Sequence, residues 1–344
     1  MWGSFLLSAA LITGGCGTSG GSAYENAGST QILMDTYVSF EITPASGKKY
    51  DKVCSELASK GKKLEKDVLS RHEAESEISK INASAGSTDG YPLSEEMEEY
   101  LTACLEISKE TEGAFDISLG ALIKLWNIDE AAKNADNGEG STGDFTIPDA
   151  KSVKAAKKLC GYEKITIDNH RIYMPEGMVL DLGAVGKGIL LDEFAKESES
   201  VRNGFISAGG SIETFGEKDG GGTWNVGIKN PRSDDHMPAD ILQLPGETVI
   251  STSGDYERFV FVSGVRYHHI LDPETGYPAD SGLASVTVCL KCTENSGLIS
   301  DALSTAIFVL GEEKGKELAD KYKAYVEMIR TDGEIVRYGS ENIR

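Results

Sequence analysis

The order in which strand-like and helical segments succeed one another constrains this chain most. Short stretches of strand character follow one after another at Gly204 to Ser207, Trp224 to Lys229, Thr248 to Ser251, Glu257 to Val262, Arg266 to Ile270 and Ala284 to Leu290. Helical spacing dominates the flanks. Tyr50 to Leu69 carries Val53, Leu57, Leu64 and Val68, and Ser94 to Ser108 carries Met97, Leu101, Leu105 and Ile107 behind an acidic, Ser-capped start. Further helices are expected at Leu119 to Trp126, Asp149 to Leu159, Ala184 to Glu199, Asn295 to Leu310 and Glu312 to Tyr322. Strands are expected at Ile32 to Ile42, Lys164 to Asp168, Arg171 to Met174, Met178 to Leu180 and Ala324 to Arg330. Hairpins are mixed with helices and no regular βαβ repeat appears, so the fold class is α+β, antiparallel or mixed sheets with packed helices, in preference to a doubly wound sheet. No repeat of solenoid length is present. The polar, glycine-rich stretch from Ala131 to Asp144 reads as a mobile surface loop and not as a domain boundary.

The 344 residues suffice for one large domain, and 34 basic against 55 acidic side chains give a net charge of -21. Such a surface repels a phosphate backbone, which excludes nucleic acid as a partner in the absence of a basic run. A phosphate ligand would have to be met by backbone N–H groups, chosen lysines and a metal ion. The N-terminal run Phe5 to Cys16 is apolar, ends in small residues and is too short to span a bilayer. It reads as a lipoprotein signal peptide (1–16) with Cys16 as the lipidated residue, followed by a flexible tether (17–28) and one domain (29–344). That assigns the chain to the extracytoplasmic face of a cell membrane, held there by a lipid anchor. The five further cysteines form no disulfide framework, and Cys289 and Cys292 read as thiols at a strand end because a zinc site would need further ligands.

Asp181-Leu182-Gly183-Ala184-Val185-Gly186-Lys187-Gly188 follows a strand and opens a helix, a place where backbone can approach a phosphate and Lys187 can meet it. A close-packed turn explains the same glycines. Asp301, Ser304 and Thr305 lie at i, i+3 and i+4 on one helix face, an oxygen set suited to Mg2+ or, alternatively, an ordinary helix start with Asp as cap. His268 and His269 sit where a strand enters the Pro273 to Pro278 turn. Neighbours on a strand point to opposite faces, so His269 is a candidate base or phosphate contact and His268 a packed or solvent-facing partner.

These segments, in this order, resemble the FAD:protein FMN transferase family, also called the ApbE or thiamine-biosynthesis lipoprotein family. The resemblance runs from about Met34 to Arg330 through Met34-Asp35-Thr36, Ser70 to Asn82, Gly113-Ala114-Phe115-Asp116, Leu125-Trp126, Asp181 to Gly188, Gly209-Gly210, Thr252 to Arg258, His269 to Pro278 and Asp301 to Thr305. Asp35 stands where the family usually has Gly, and His72 where it often has Tyr, at the flavin or adenine end of the pocket. The resemblance implies FAD as substrate, contacted by Met34, His72, Ala114, Phe115, Asp116, Asp181, Lys187 and Thr275. It also implies Mg2+ held by the Ala184 carbonyl, Asp301, Ser304 and Thr305. The implied activity transfers FMN from FAD to a Ser or Thr of an acceptor flavoprotein carrying a flavinylation motif, with release of AMP. His269 is the expected base, with Asp116 or Asp255 as substitutes. The competing readings are a Mg2+-dependent FAD pyrophosphatase and a non-catalytic FAD-binding lipoprotein.

Overall fold

The computed structural model describes residues 9–11, 29–134, 145–233 and 237–339. Cys16, the tether and the core of the glycine-rich 131–144 stretch lie outside the described residues, and Ala131 to Asn134 belong to the helix Ile128–Asn134. Ala9–Leu11 is a short strand paired antiparallel with Trp224–Lys229. No helix of the described residues is long and apolar enough to cross a membrane.

Eight strands form the central sheet: β1 (Ser29–Leu33), β2 (Thr36–Pro44), β3 (Val201–Ala208), β4 (Ser211–Phe215), β5 (Thr248–Gly254), β6 (Leu283–Lys291), β7 (Tyr325–Arg330) and β8 (Ile335–Tyr338). They lie side by side in chain order, and every pairing is antiparallel. Alternation along β6 shows why the sheet is buried on both faces. Val286 and Val288 enter the main core while Cys289 enters a second cluster with Trp224, Val226, Leu242 and Leu244. The helices α1 (Tyr50–Lys63), α2 (Gly186–Ala195) and α3 (Ser296–Leu310) cover the main-core face, and the small sheet of Trp224–Lys229 and Pro238–Leu244 covers the other.

Local chemistry departs from the expected elements in several places. The strand expected from Ile32 to Ile42 is a hairpin, because Met34 (φ 52°) and Asp35 (φ 56°) both take the left-handed conformation of a two-residue turn. Met178 to Leu180 makes only a single bridge, Val179 to Leu119. The first long helix ends in a π-helical turn, Leu64–Leu69, that hands the chain to Ser70. Pro238–Leu244 was not anticipated as a strand. The helices α2 and α3 cross in near contact, since a β-carbon on Gly188 would lie 2.1 Å from the Gly297 carbonyl oxygen. The Asp192 carboxylate of α2 accepts the N–H groups of Gly297 and Leu298 at 2.7 and 2.8 Å, which caps α3.

Candidate active site

The seam between α2, α3 and the sheet gathers residues from five separate segments. Asp301, 4% exposed, accepts the Gly188 N–H at 2.7 Å on one oxygen and the Ser211 hydroxyl at 2.7 Å on the other. Its partners are therefore neutral, and among the described residues no Lys or Arg pairs with it. The Ser253 hydroxyl lies 2.8 Å from that of Ser304 and 3.2 Å from that of Thr305. Ser304 also donates to the Asp301 carbonyl at 2.9 Å and is buried, whereas Thr305 is half-buried. A buried carboxylate without a counter-charge beside a hydroxyl cluster is a donor set that fits a hard divalent cation. Ala184 is exposed in the turn that leads into α2.

Three turns, two of them glycine-bearing, close over this seam. A β-carbon on Gly186 would stand 3.7 Å from the Met34 sulfur, and one on Gly209 would stand 2.7 Å from the Thr36 hydroxyl and 3.6 Å from Cδ of Lys187. Gly209 takes φ 58°. The Met34 hairpin, the start of α2 and the Gly209-Gly210 turn thus meet around Lys187, which makes no ion pair among the described residues. The N–H groups at the start of α2 and one free ammonium form an anion-accepting corner in an acidic protein.

Beside the seam lies a cleft of about 670 Å³, lined in part by Ile123, Ile128, Val179, Asp181, His72 and His269. Asp181 joins cleft and seam, because its carboxylate accepts the Gly183 N–H at 2.7 Å at the head of the turn into α2. Its other oxygen binds the Arg71 guanidinium. Arg71 also reaches Asp129 at 3.3 Å, and Arg258 reaches the same Asp129 oxygen at 3.1 Å. Burial alone would raise the Asp129 carboxyl, but the Arg258 and Arg71 guanidiniums outweigh it and hold it below the ordinary carboxylate value. Arg71 lies in the Ser70 to Asn82 segment without a role implied for it, and Asp129 lies outside every segment of the resemblance, in the helix that follows the left-handed Asn127 (φ 47°).

His269 follows the end of the strand Val265–His268, and its Nδ1 lies 3.3 Å from the Arg258 carbonyl. A carbonyl only accepts, so Nδ1 carries the proton and Nε2 keeps its lone pair. Burial first, then the Arg258 guanidinium, push the imidazole below its usual value, so it is neutral at pH 7. His268 is packed instead: Nε2 is 3.0 Å from the Ala279 carbonyl and the ring meets Phe308 edge-on.

Other expected residues lie apart from the cleft. Asp116 accepts the N–H groups of Ser118 (2.7 Å) and Tyr162 (3.1 Å), and burial raises its carboxyl. Ala114 and Phe115 are buried in the main core, although their segment runs against the site through the Asp181 N–H, which donates to the Ile117 carbonyl at 2.8 Å. Asp255, offered as a substitute base, is tied to Arg232 through two bonds of 2.7 and 2.6 Å and is buried, so its oxygens are already engaged. Thr275 is exposed in a turn, where its hydroxyl accepts the Tyr277 N–H at 3.3 Å; the neighbouring Gly276 carbonyl accepts from the Trp126 indole at 2.8 Å.

A profile of the ApbE family matches residues 34–329. The chain belongs to the ApbE family. Similar proteins include the FAD:protein FMN transferase of Vibrio cholerae, 30% identical over 81% of this chain and 80% of the relative, and that of Treponema pallidum, 33% identical over 74% and 70%. Among solved structures, the ApbE protein of Thermotoga maritima superposes with a TM-score of 0.77 at 30% identity, covering 90% of this chain and 96% of that one. The flavin transferase ApbE of Vibrio cholerae gives 0.76 at 28% identity, covering 92% and 97%. The shared ApbE fold is α+β, as the element order implied.

Proposed function

We propose that this chain cleaves FAD and attaches the FMN half through a phosphoester to a Ser or Thr of an acceptor flavoprotein, releasing AMP, with Mg2+ as cofactor. The observation that carries this reading is the seam where Asp301, a buried carboxylate that no Lys or Arg pairs with among the described residues, stands beside hydroxyls and the glycine-rich start of α2 with Lys187. The relatives named FAD:protein FMN transferase support the choice of substrate.

Asp301, Thr305 and the Ala184 carbonyl, backed by Ser304, are the groups that would hold Mg2+; bound there, the ion would neutralise charge on a pyrophosphate. Lys187 and the N–H groups opening α2 bind the phosphates and add to that neutralisation, which is most of what phosphoryl transfer requires. The apolar cleft walls take a planar ring of the dinucleotide and exclude water from it. Nε2 of His269 removes the proton of the acceptor hydroxyl, whose oxygen bonds to the phosphorus on the FMN side. The bond from that phosphorus to the bridging oxygen breaks, and AMP leaves with the oxygen. The reading extends to a lipid anchor at Cys16 on the extracytoplasmic face, supported by the apolar N-terminal run alone.

The test incubates the full chain with FAD and Mg2+, with and without a Ser/Thr acceptor peptide, and follows AMP and peptide mass. AMP together with a peptide heavier by one FMN is expected. AMP with no labelled peptide for a set of acceptor sequences would instead identify a pyrophosphatase, and no AMP in either case would leave flavin binding without turnover.

A further inference from the structure

We propose that Asp129 is a positioning residue for the transfer reaction, a carboxylate that holds Arg71 and Arg258 together against the His269 wall of the dinucleotide cleft. The proposal rests on the flavin-transfer reading above and names a part of the site that the family resemblance did not assign.

A single oxygen, Oδ2 of Asp129, receives both guanidiniums, at 3.3 Å from Arg71 and 3.1 Å from Arg258. The three residues come from the loop after the π-helical turn, from the helix Ile128–Asn134 and from the loop before the strand Phe259–Val262, so only the folded chain brings them together. The left-handed Asn127 turns the chain so that Ile128 is buried while Asp129, its side chain 24% exposed, lines the cleft.

The purpose follows from charge. Arg71 and Arg258 stand against two carboxylates, Asp129 and Asp181, so the cluster is balanced in charge and its use is to hold side chains in place. Without Asp129, Arg71 keeps its Asp181 partner, whereas Arg258 loses the only ion pair it makes among the described residues and swings out to water. Asp129 thus fixes the planar Arg258 guanidinium behind the cleft wall. The Arg258 carbonyl meanwhile orients His269 by accepting from Nδ1, so the carboxylate that fixes Arg258 also bears on the ring facing the acceptor. The charged and titratable groups around this cluster are Arg71, Arg258, Asp181, His268 and His269, with His72 and Lys124 on the same cleft.

The experiment uses the full chain as wild type, D129N, D129E, R258Q and D129N/R258Q, and measures FAD binding by flavin fluorescence together with KM and kcat for AMP release. Losing a charge-assisted bond predicts a rise of about 10- to 100-fold in Kd and KM for FAD in D129N. Thermal melting should stay within a few degrees, D129E should recover most of the affinity, and the double variant should be no worse than R258Q alone. If D129N melts early, R258Q carries the same expected rise in KM. Wild-type Kd and KM in D129N, or additive losses in the double variant, would overturn the proposal while leaving flavin transfer intact. A wild-type chain that does not bind FAD would overturn the underlying reading and the proposal with it.

Discussion

Glu213 offers a test in which the scaffold, and not the chemistry, is perturbed. It lies on β4, 4% exposed, with its Oε2 atom unpartnered. Burial first, then the nearby Asp192 carboxylate, push its carboxyl from 4.5 up to about 8. Asp192, the cap of α3, is itself raised to about 7, by burial above all. In the unfolded chain the Glu213 proton is released near 4.5, whereas the folded chain keeps it until about 8. Between those values the native state binds the extra proton, so stability is fully present below the unfolded value and falls as pH rises. Each pH unit is worth about 1.4 kcal/mol per group, so a window of ~3.5 units sets a ceiling of roughly 5 kcal/mol. Glu213→Gln keeps the size and removes the ionisation. At about 2 °C per kcal/mol, the low end that suits a long chain, the ceiling corresponds to about 10 °C, so the variant should melt up to about 10 °C above wild type at pH 8.5 and show no advantage at pH 5. Melting followed by circular dichroism across that range is sufficient. Parallel curves for the two proteins from pH 5 to 8.5 would refute the reasoning, because the Glu213 carboxyl would then be titrating as it does in the unfolded chain.

Gly188→Ala should push α2 and α3 apart, since the added carbon would lie 2.1 Å from a backbone oxygen; a loss of about 3 kcal/mol or more in a urea titration, together with lost transfer, is expected. Lys187→Met should weaken FAD binding about 10-fold or more in an equilibrium titration while the melting temperature holds, because the ammonium makes no ion pair in the described structure. Asp255→Asn should destabilise the protein by about 3 kcal/mol through the broken Arg232 pair but leave the pH dependence of transfer unchanged, the reverse of what a catalytic base would show.

What could be read from the residues alone was whatever depends on local spacing. Asp301, Ser304 and Thr305 share a helix face because three and four residues make one turn, and α3 presents them together as that spacing implies. The Asp181 to Gly188 turn was legible for a similar reason, as its glycines sit where a helix must begin. The Met34 hairpin was not, because the alternation from Ile32 to Ile42 continues through a turn that lacks glycine and proline, so nothing marks the reversal. Pro238–Leu244 escaped because it opens on a proline and because Ile241, exposed on its outer face, breaks the apolar-polar alternation. The grouping of Arg71, Asp129 and Arg258 has no local signature, since its members are 58 and 129 residues apart. Asp116 and Asp255 have the residue type expected of a base, but geometry commits one to backbone N–H groups and the other to Arg232, which only the fold reveals.

The capping of α3 by Asp192 bears on how the site comes into being. The residue before α3, Asn295, is left-handed (φ 58°) and its side chain caps nothing, so the helix has no start signal of its own. The signal comes from a carboxylate made 105 residues earlier on α2. During synthesis α2 emerges first and holds Lys187 without the oxygens that later stand opposite it. A nascent chain ending before residue 296 therefore owns half of a ligand site and no means of finishing it. Tight binding of FAD is in this sense a readout of chain completion: the residues from 296 onward must arrive and dock before those ahead of them can use the ligand.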